Sequence, residues 1–186
     1  MKQHLAAAAL ILFSAAMPAA YAHEESKASS AAHRSPDAAK APYDIQFLDT
    51  MAEHHREGIE MFKLAAGKAE HEDVRAKAQQ MMTEQQKEIP ELEAMRDEVK
   101  LGVPQAVNRE LPGMKPMDMS PLESATGSDF DRQFLDMTIQ HHAGAVAMSQ
   151  DALKHARSQA VKDRSRMMIE EQTKEIAELK AMQTSL

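Results

Sequence analysis

The sequence predicts an all-α protein, an antiparallel four-helix bundle assembled from two copies of one helical hairpin. Three observations carry this expectation: an internal duplication, a helical apolar stripe in each long segment, and an unusual core composition. Residues 44–95 align without gaps onto 131–182, with 21 identities in 52 positions. Shared features include Phe47-Leu48-Asp49 with Phe134-Leu135-Asp136, His54-His55 with His141-His142, and Met61 with Met148. A repeat of this length marks a supersecondary unit that cannot bury its apolar face alone. The chain has 15 methionines, no cysteine and no tryptophan, so methionine and alanine must fill much of the interior.

The elements follow in order. Lys2, the apolar run 5–16 and Ala20-Tyr21-Ala22 read as a signal peptide over 1–22, cleaved after Ala22. That run is too short to span a bilayer, and no later stretch is long enough. The expected location is therefore the periplasm or the exterior, with no membrane span after processing. Residues 23–42 lack apolar periodicity and read as a flexible tether. The bundle occupies 43–186: repeat 1 over about 44–100, a Met-rich linker over 101–127, and repeat 2 over about 128–184. Helices are expected at 44–69, 72–100, 129–156 and 159–182, with Ser128 and Ser158 as N-caps of the last two. Pro90, where the second copy has Ala177, should kink or break its helix.

Phe47, Met51, His54, Gly58, Met61 and Ala65 fall on one 4-3 stripe, matched by Phe134, Thr138, His141, Ala145, Met148 and Ala152. Met81, Gln85, Glu88, Leu92 and Met95 form the stripe of the second helix and recur in the fourth. Four stripes of this kind imply a bundle.

The same stripes hold the chemistry. Adjacent helical residues point about 100° apart, so His54 and His141 sit on the stripes while His55 and His142 lie on their flanks. Met51, Met61, Met137 and Met148 stand within two turns of the stripe histidines, and small residues beside the rings leave room. Two imidazoles and several thioethers are expected to converge near mid-bundle. Thioether and imidazole favour Cu(I) or Ag(I) over magnesium or calcium. Met114, Met117 and Met119 in the linker form a second candidate soft-metal set. Gln85, Gln172, Glu88 and Glu175 are candidates either for holding the outer nitrogens of bound histidines or for ligation itself. The bland alternative is that the methionines are core filler and the histidines structural.

FLDTMAEHHREGIEM and FDRQFLDMTIQHHAGAVAM resemble the bacterial domain-of-unknown-function family 305. The resemblance covers about residues 43–183. It implies a ferritin-like, exported four-helix protein, with some members linked to copper binding or resistance. It points to His54, His55, His141, His142, Met51, Met61, Met137 and Met148. Departures are Pro90 and Arg56-Glu57, where the second copy has Ala143-Gly144.

Zero cysteines exclude disulfides and thiolate sites, and a net charge of −7 argues against nucleic-acid binding. The expected function is non-enzymatic binding of copper, with Cu(I) favoured and Ag(I) as a second cargo, in sequestration, relay or resistance. Periplasmic copper-efflux or copper-oxidase components are the expected protein partners. Alternatives are a ferritin-like dinuclear redox enzyme, a haem bundle and a metal-free interaction module.

Overall fold

A computed structural model describes residues 35–100 and 102–186. The expected signal peptide and most of the expected tether lie outside the described residues. Four long helices carry the fold: α1 (Tyr43–Lys68), α2 (Glu72–Val99), α4 (Gly127–His155) and α5 (Gln159–Ser185). A short helix, α3 (Ser120–Ser124), and a 3-10 turn at Ala38–Lys40 complete the described secondary structure. No strand occurs among the described residues, and the protein is a helical bundle. Among those residues, no helix is long and apolar enough to cross a membrane.

Each hairpin packs internally, α1 on α2 and α4 on α5, and the two hairpins meet mainly along α1 and α4. The pairing is antiparallel, as its ends show. Asp44, at the start of α1, accepts bonds from the backbone N–H groups of Arg157 (3.0 Å) and Ser158 (2.9 Å). Its repeat equivalent Asp131 accepts from Glu70 (2.9 Å) and His71 (2.8 Å). Each carboxylate therefore holds the turn of the other hairpin and satisfies N–H groups that a helix start leaves without internal partners.

The core divides into two apolar clusters along the axis. One contains Phe47, Met51, Leu92, Met148 and Met168, and the other Met61, Phe62, Met81, Phe134 and Leu179. Burying one such side chain contributes roughly 1.5–3 kcal/mol, so the interface between repeats is a principal source of stability. The buried histidines lie on the turns of α1 and α4 between these clusters.

Four details depart from the sequence expectations. Pro90 does not break α2, which runs through it to Val99. Both Pro90 and Gln86, whose carbonyl loses its usual partner, are exposed, so water can satisfy the freed group. Ser128 lies inside α4 rather than capping it, because Gly127 at φ 61° brings the chain into the helix earlier. Ser158 does cap α5, accepting from Val161 N–H. The segment read as unstructured linker is docked: Asn108 N–H donates to Thr50 Oγ1 (2.9 Å), Ala106 N–H donates to Asp49 Oδ2 (2.8 Å), and Arg109 pairs with Glu57 (2.7 Å). Finally, the last part of the expected tether is ordered against the linker, with Val107 N–H donating to Ser35 Oγ at 3.0 Å.

Candidate metal centre

α1 and α4 bring His54 and His141 together with ring centroids 3.7 Å apart and planes 13° from parallel. Both residues are buried. Burial, followed by the neighbouring histidines, lowers the His54 pKa to about 3 and holds His141 well below the usual imidazole range. Both rings are thus neutral near pH 7, the form that ligates a metal. His54 Nδ1 and His141 Nε2 are buried without a hydrogen-bond partner. An unpaired buried polar atom costs about 1–3 kcal/mol, so this layer holds unmet coordinating capacity.

The flank histidines are more deeply placed than the sequence suggested. His55 and His142 have no exposed surface at all. Each faces the carboxylate of the following helix: His55 Nε2 lies 2.8 Å from Glu88 Oε2, and His142 Nε2 lies 2.8 Å from Glu175 Oε2. The two contacts are equal in length, so each imidazole is held against its carboxylate. Arg164 Nη2 donates to Glu88 Oε1 at 2.5 Å, and Lys77 Nζ donates to Glu175 Oε1 at 3.3 Å. Burial raises the Glu88 carboxyl pKa, but His55 and Arg164 outweigh it and leave the group below its ordinary value. Glu175 behaves likewise, with burial outweighed by His142 and Lys77. In a neutral imidazole, an ionised carboxylate at Nε2 keeps the proton there and leaves Nδ1 as the lone-pair nitrogen. The Nδ1 atoms of His55 and His142 are both buried and without a partner.

Gly58 lets two polar side chains pack directly against the backbone of α1. A Cβ there would stand 2.6 Å from Gln85 Oε1 and 2.7 Å from His141 Nε2, both of them unpartnered atoms. Gln172 Oε1, the repeat equivalent of Gln85 Oε1, is also buried and unpartnered. Neither glutamine oxygen caps a histidine nitrogen as the sequence reading allowed. The residues present suit a soft metal ion, combining neutral imidazoles with unpartnered nitrogens and buried thioethers.

The methionines do not gather at one point. Met51, Met148 and Met114 belong to one cluster, and Met61, Met137, Met117 and Met119 pack in or against the other. The linker methionines therefore divide between the two sides of the histidine layer, because the strap is anchored between them. A Cβ on Gly113 would lie 2.1 Å from Gly144 O, and one on Gly144 would lie 3.3 Å from His54 Nε2. The strap thus crosses α4 at a glycine beside the histidine layer. Sequence reasoning missed Lys77 and Arg164; the signal was a cation at the same position of both repeats. No cluster of three or more His, Asp or Glu side chains fit to hold a metal occurs among the described residues. Thioethers would have to complete the ligand set.

Fold and site together define a duplicated helical bundle with a buried paired-histidine layer between methionine clusters. The DUF305 family, described as a domain of unknown function, matches residues 14–96 and 44–183. The chain belongs to this family. A DUF305 fragment from Deinococcus radiodurans shares 24% identity at TM-score 0.69, covering 78% of this chain and 98% of that one. A DUF305 protein from Streptomyces coelicolor, provisionally described as secreted, shares 23% identity at TM-score 0.65, over 74% and 90% of the two chains. Both likenesses concern the fold alone. CopM, solved with Cu(II), shares 27% identity at TM-score 0.65, over 76% of this chain and 96% of that one. CopM has also been solved with Cu(I) and with Ag, each at 26% identity and TM-score 0.64 over the same shares. No curated protein matches the chain significantly.

Proposed function

We propose that this protein is an exported binder of copper, taking Cu(I) in preference and Ag(I) as a second cargo, and that it sequesters or relays the ion. The observation that carries this reading is the stacked His54–His141 pair with unpartnered ring nitrogens, set between two methionine clusters. Thioether and imidazole together select a soft monovalent ion, and neither needs to lose a proton near pH 7. The metal-bound forms of CopM support the same chemistry. Export rests on the leader-like start of the chain.

Of the candidates, His54 and His141 would be the central ligands. Met51, Met148 and Met114 on one side and Met61 on the other are the thioethers available to them. Glu88 and Glu175 serve as partners that orient His55 and His142, since each is already engaged by an imidazole and a cation. A redox enzyme with carboxylate ligands would require those carboxylates to leave both partners. The test is a Cu(I) competition titration of the signal-free protein and of the His54→Ala/His141→Ala variant. The expected loss is at least about 100-fold in affinity, since even the partners of ligands are typically worth 10–100-fold. Unchanged affinity in a folded double variant would refute the site.

A further inference from the structure

The strap covers α1 and α4, but α2 and α5 touch each other little and leave a groove of about 270 Å³ between them. Its walls are acidic, with Glu84, Glu88, Glu171, Glu175 and Glu178 against Lys77, Lys174 and Arg164, the last of which binds Glu88 and Glu171. Both lysines are already matched to Glu178, at 2.7 Å and 3.8 Å. The groove is also lined by Gln85 and Gln172, which are 3% and 4% exposed and whose Oε1 atoms have no partner. Unpaired buried acceptors beneath an excess of carboxylates recognise a cation and repel an anion. Gln85 Oε1 and His141 Nε2 pack side by side against Gly58, so the groove floor adjoins the histidine layer.

The geometry points to the α2–α5 groove as the inlet of the histidine layer, a cation-gathering vestibule whose rim is Glu84 and Glu171 and whose floor is Gln85 and Gln172. This inference rests on the reading of the histidine layer as a metal site. The rim carboxylates concentrate the cation, and the glutamine oxygens replace part of its water shell before it meets His141 Nε2. On the strap side Gly113 packs against Gly144, beside His54 Nε2.

The experiment is stopped-flow mixing of the folded, signal-free protein with Ag(I), read by the ultraviolet absorbance change on binding and repeated across sodium nitrate concentrations. The wild-type association rate should fall as salt rises, because carboxylate steering is screened. Glu84→Lys with Glu171→Lys should slow association about tenfold and flatten the salt dependence, with little change in dissociation. The milder Glu84→Gln with Glu171→Gln should slow it by about threefold. Glu60→Lys with Glu170→Lys, an equal charge change off the groove lining, should stay within about twofold of wild type. Rim variants that bind Ag(I) at the wild-type rate would overturn the inlet and leave the metal site standing. Slowing by Met117→Leu with Met119→Leu, and not by the rim variants, would also overturn it, placing the route along the strap. A wild-type protein that takes up no Ag(I) at equilibrium would overturn the inlet and the site together.

Discussion

The two repeats build the same half-site with different materials. In the first, His55 leans on Glu88, which is gripped by Arg164; in the second, His142 leans on Glu175, which is held by Lys77. The cation comes each time from the other repeat, so neither half-site is complete without its partner hairpin. Arg164 is a planar fork that also binds Glu171 at 3.0 Å, whereas Lys77 is a point charge shared with Glu178. Gly58 of the first repeat stands where the second has Ala145, and its missing Cβ lets His141 Nε2 and Gln85 Oε1 pack against α1. Phe62 sets its edge against both His141 and His142, while its equivalent Ser149 hydrogen-bonds Met168. Duplication made the scaffold, and divergence has given the two sides of the histidine layer different neighbours.

The repeats are most alike where they meet, at His54 and His141, and this region gives the largest expected effect. Both imidazoles have folded pKa values below their unfolded ones, so the unfolded chain binds more protons as pH falls. Stability of the metal-free protein should therefore be level above about pH 6.5 and should fall below it. For His54 the fall continues to about pH 3. The slope is about 1.4 kcal/mol per pH unit for each histidine. Urea midpoints across this range check the sign, and the slope should weaken in His54→Ala.

Next in size is the contrast between the carboxylates. Glu88→Ala leaves Arg164 and His55 facing each other without the anion between them, and should cost about 3 kcal/mol. Glu175→Ala should cost less, about 1–2 kcal/mol, because Lys77 keeps its nearer carboxylate, Glu178 at 2.7 Å, whereas Arg164 without Glu88 keeps only the more distant Glu171 at 3.0 Å. Thermal melts of the two variants compare them directly, and equal losses would show that the half-sites are energetically equivalent.

Gly58→Ala should cost about 1–2 kcal/mol net, since crowding of His141 and Gln85 exceeds the gain in helix propensity. It should also weaken Cu(I) binding, whereas Ala145→Gly should cost about 1 kcal/mol and spare the metal. Cu(I) titration of the pair separates lost space from lost helix stability. Away from the site, Pro90→Ala copies Ala177 of the second repeat into an exposed helical position. It should stabilise by as much as about 3 kcal/mol, seen as a raised melting temperature.

The bundle and its central histidines were legible because periodicity and duplication are local signals. Phe47, His54 and Met61 announce a face, and their counterparts at an offset of one repeat announce the partner that covers it. The arrangement of thioethers was less legible. Met51 and Met61 share a stripe, yet lie on opposite sides of the histidine layer. The docking of the strap was not legible at all, because Gly113 against Gly144 and Asn108 on Thr50 are pairings of distant residues without any period. The depth of His55 and His142 was missed because a stripe of one helix does not reveal how closely the next helix covers its flank.

The central claim is that neutral, buried imidazoles and core thioethers hold one soft ion between the repeats. X-ray absorption at the copper edge of the Cu(I)-loaded protein, with and without His54→Ala/His141→Ala, tests it most directly. The account predicts both sulfur and imidazole neighbours in the wild type, and loss of the imidazole signature together with affinity in the double variant. A first shell of oxygen and nitrogen alone, or a spectrum unchanged by removing both histidines, would contradict it.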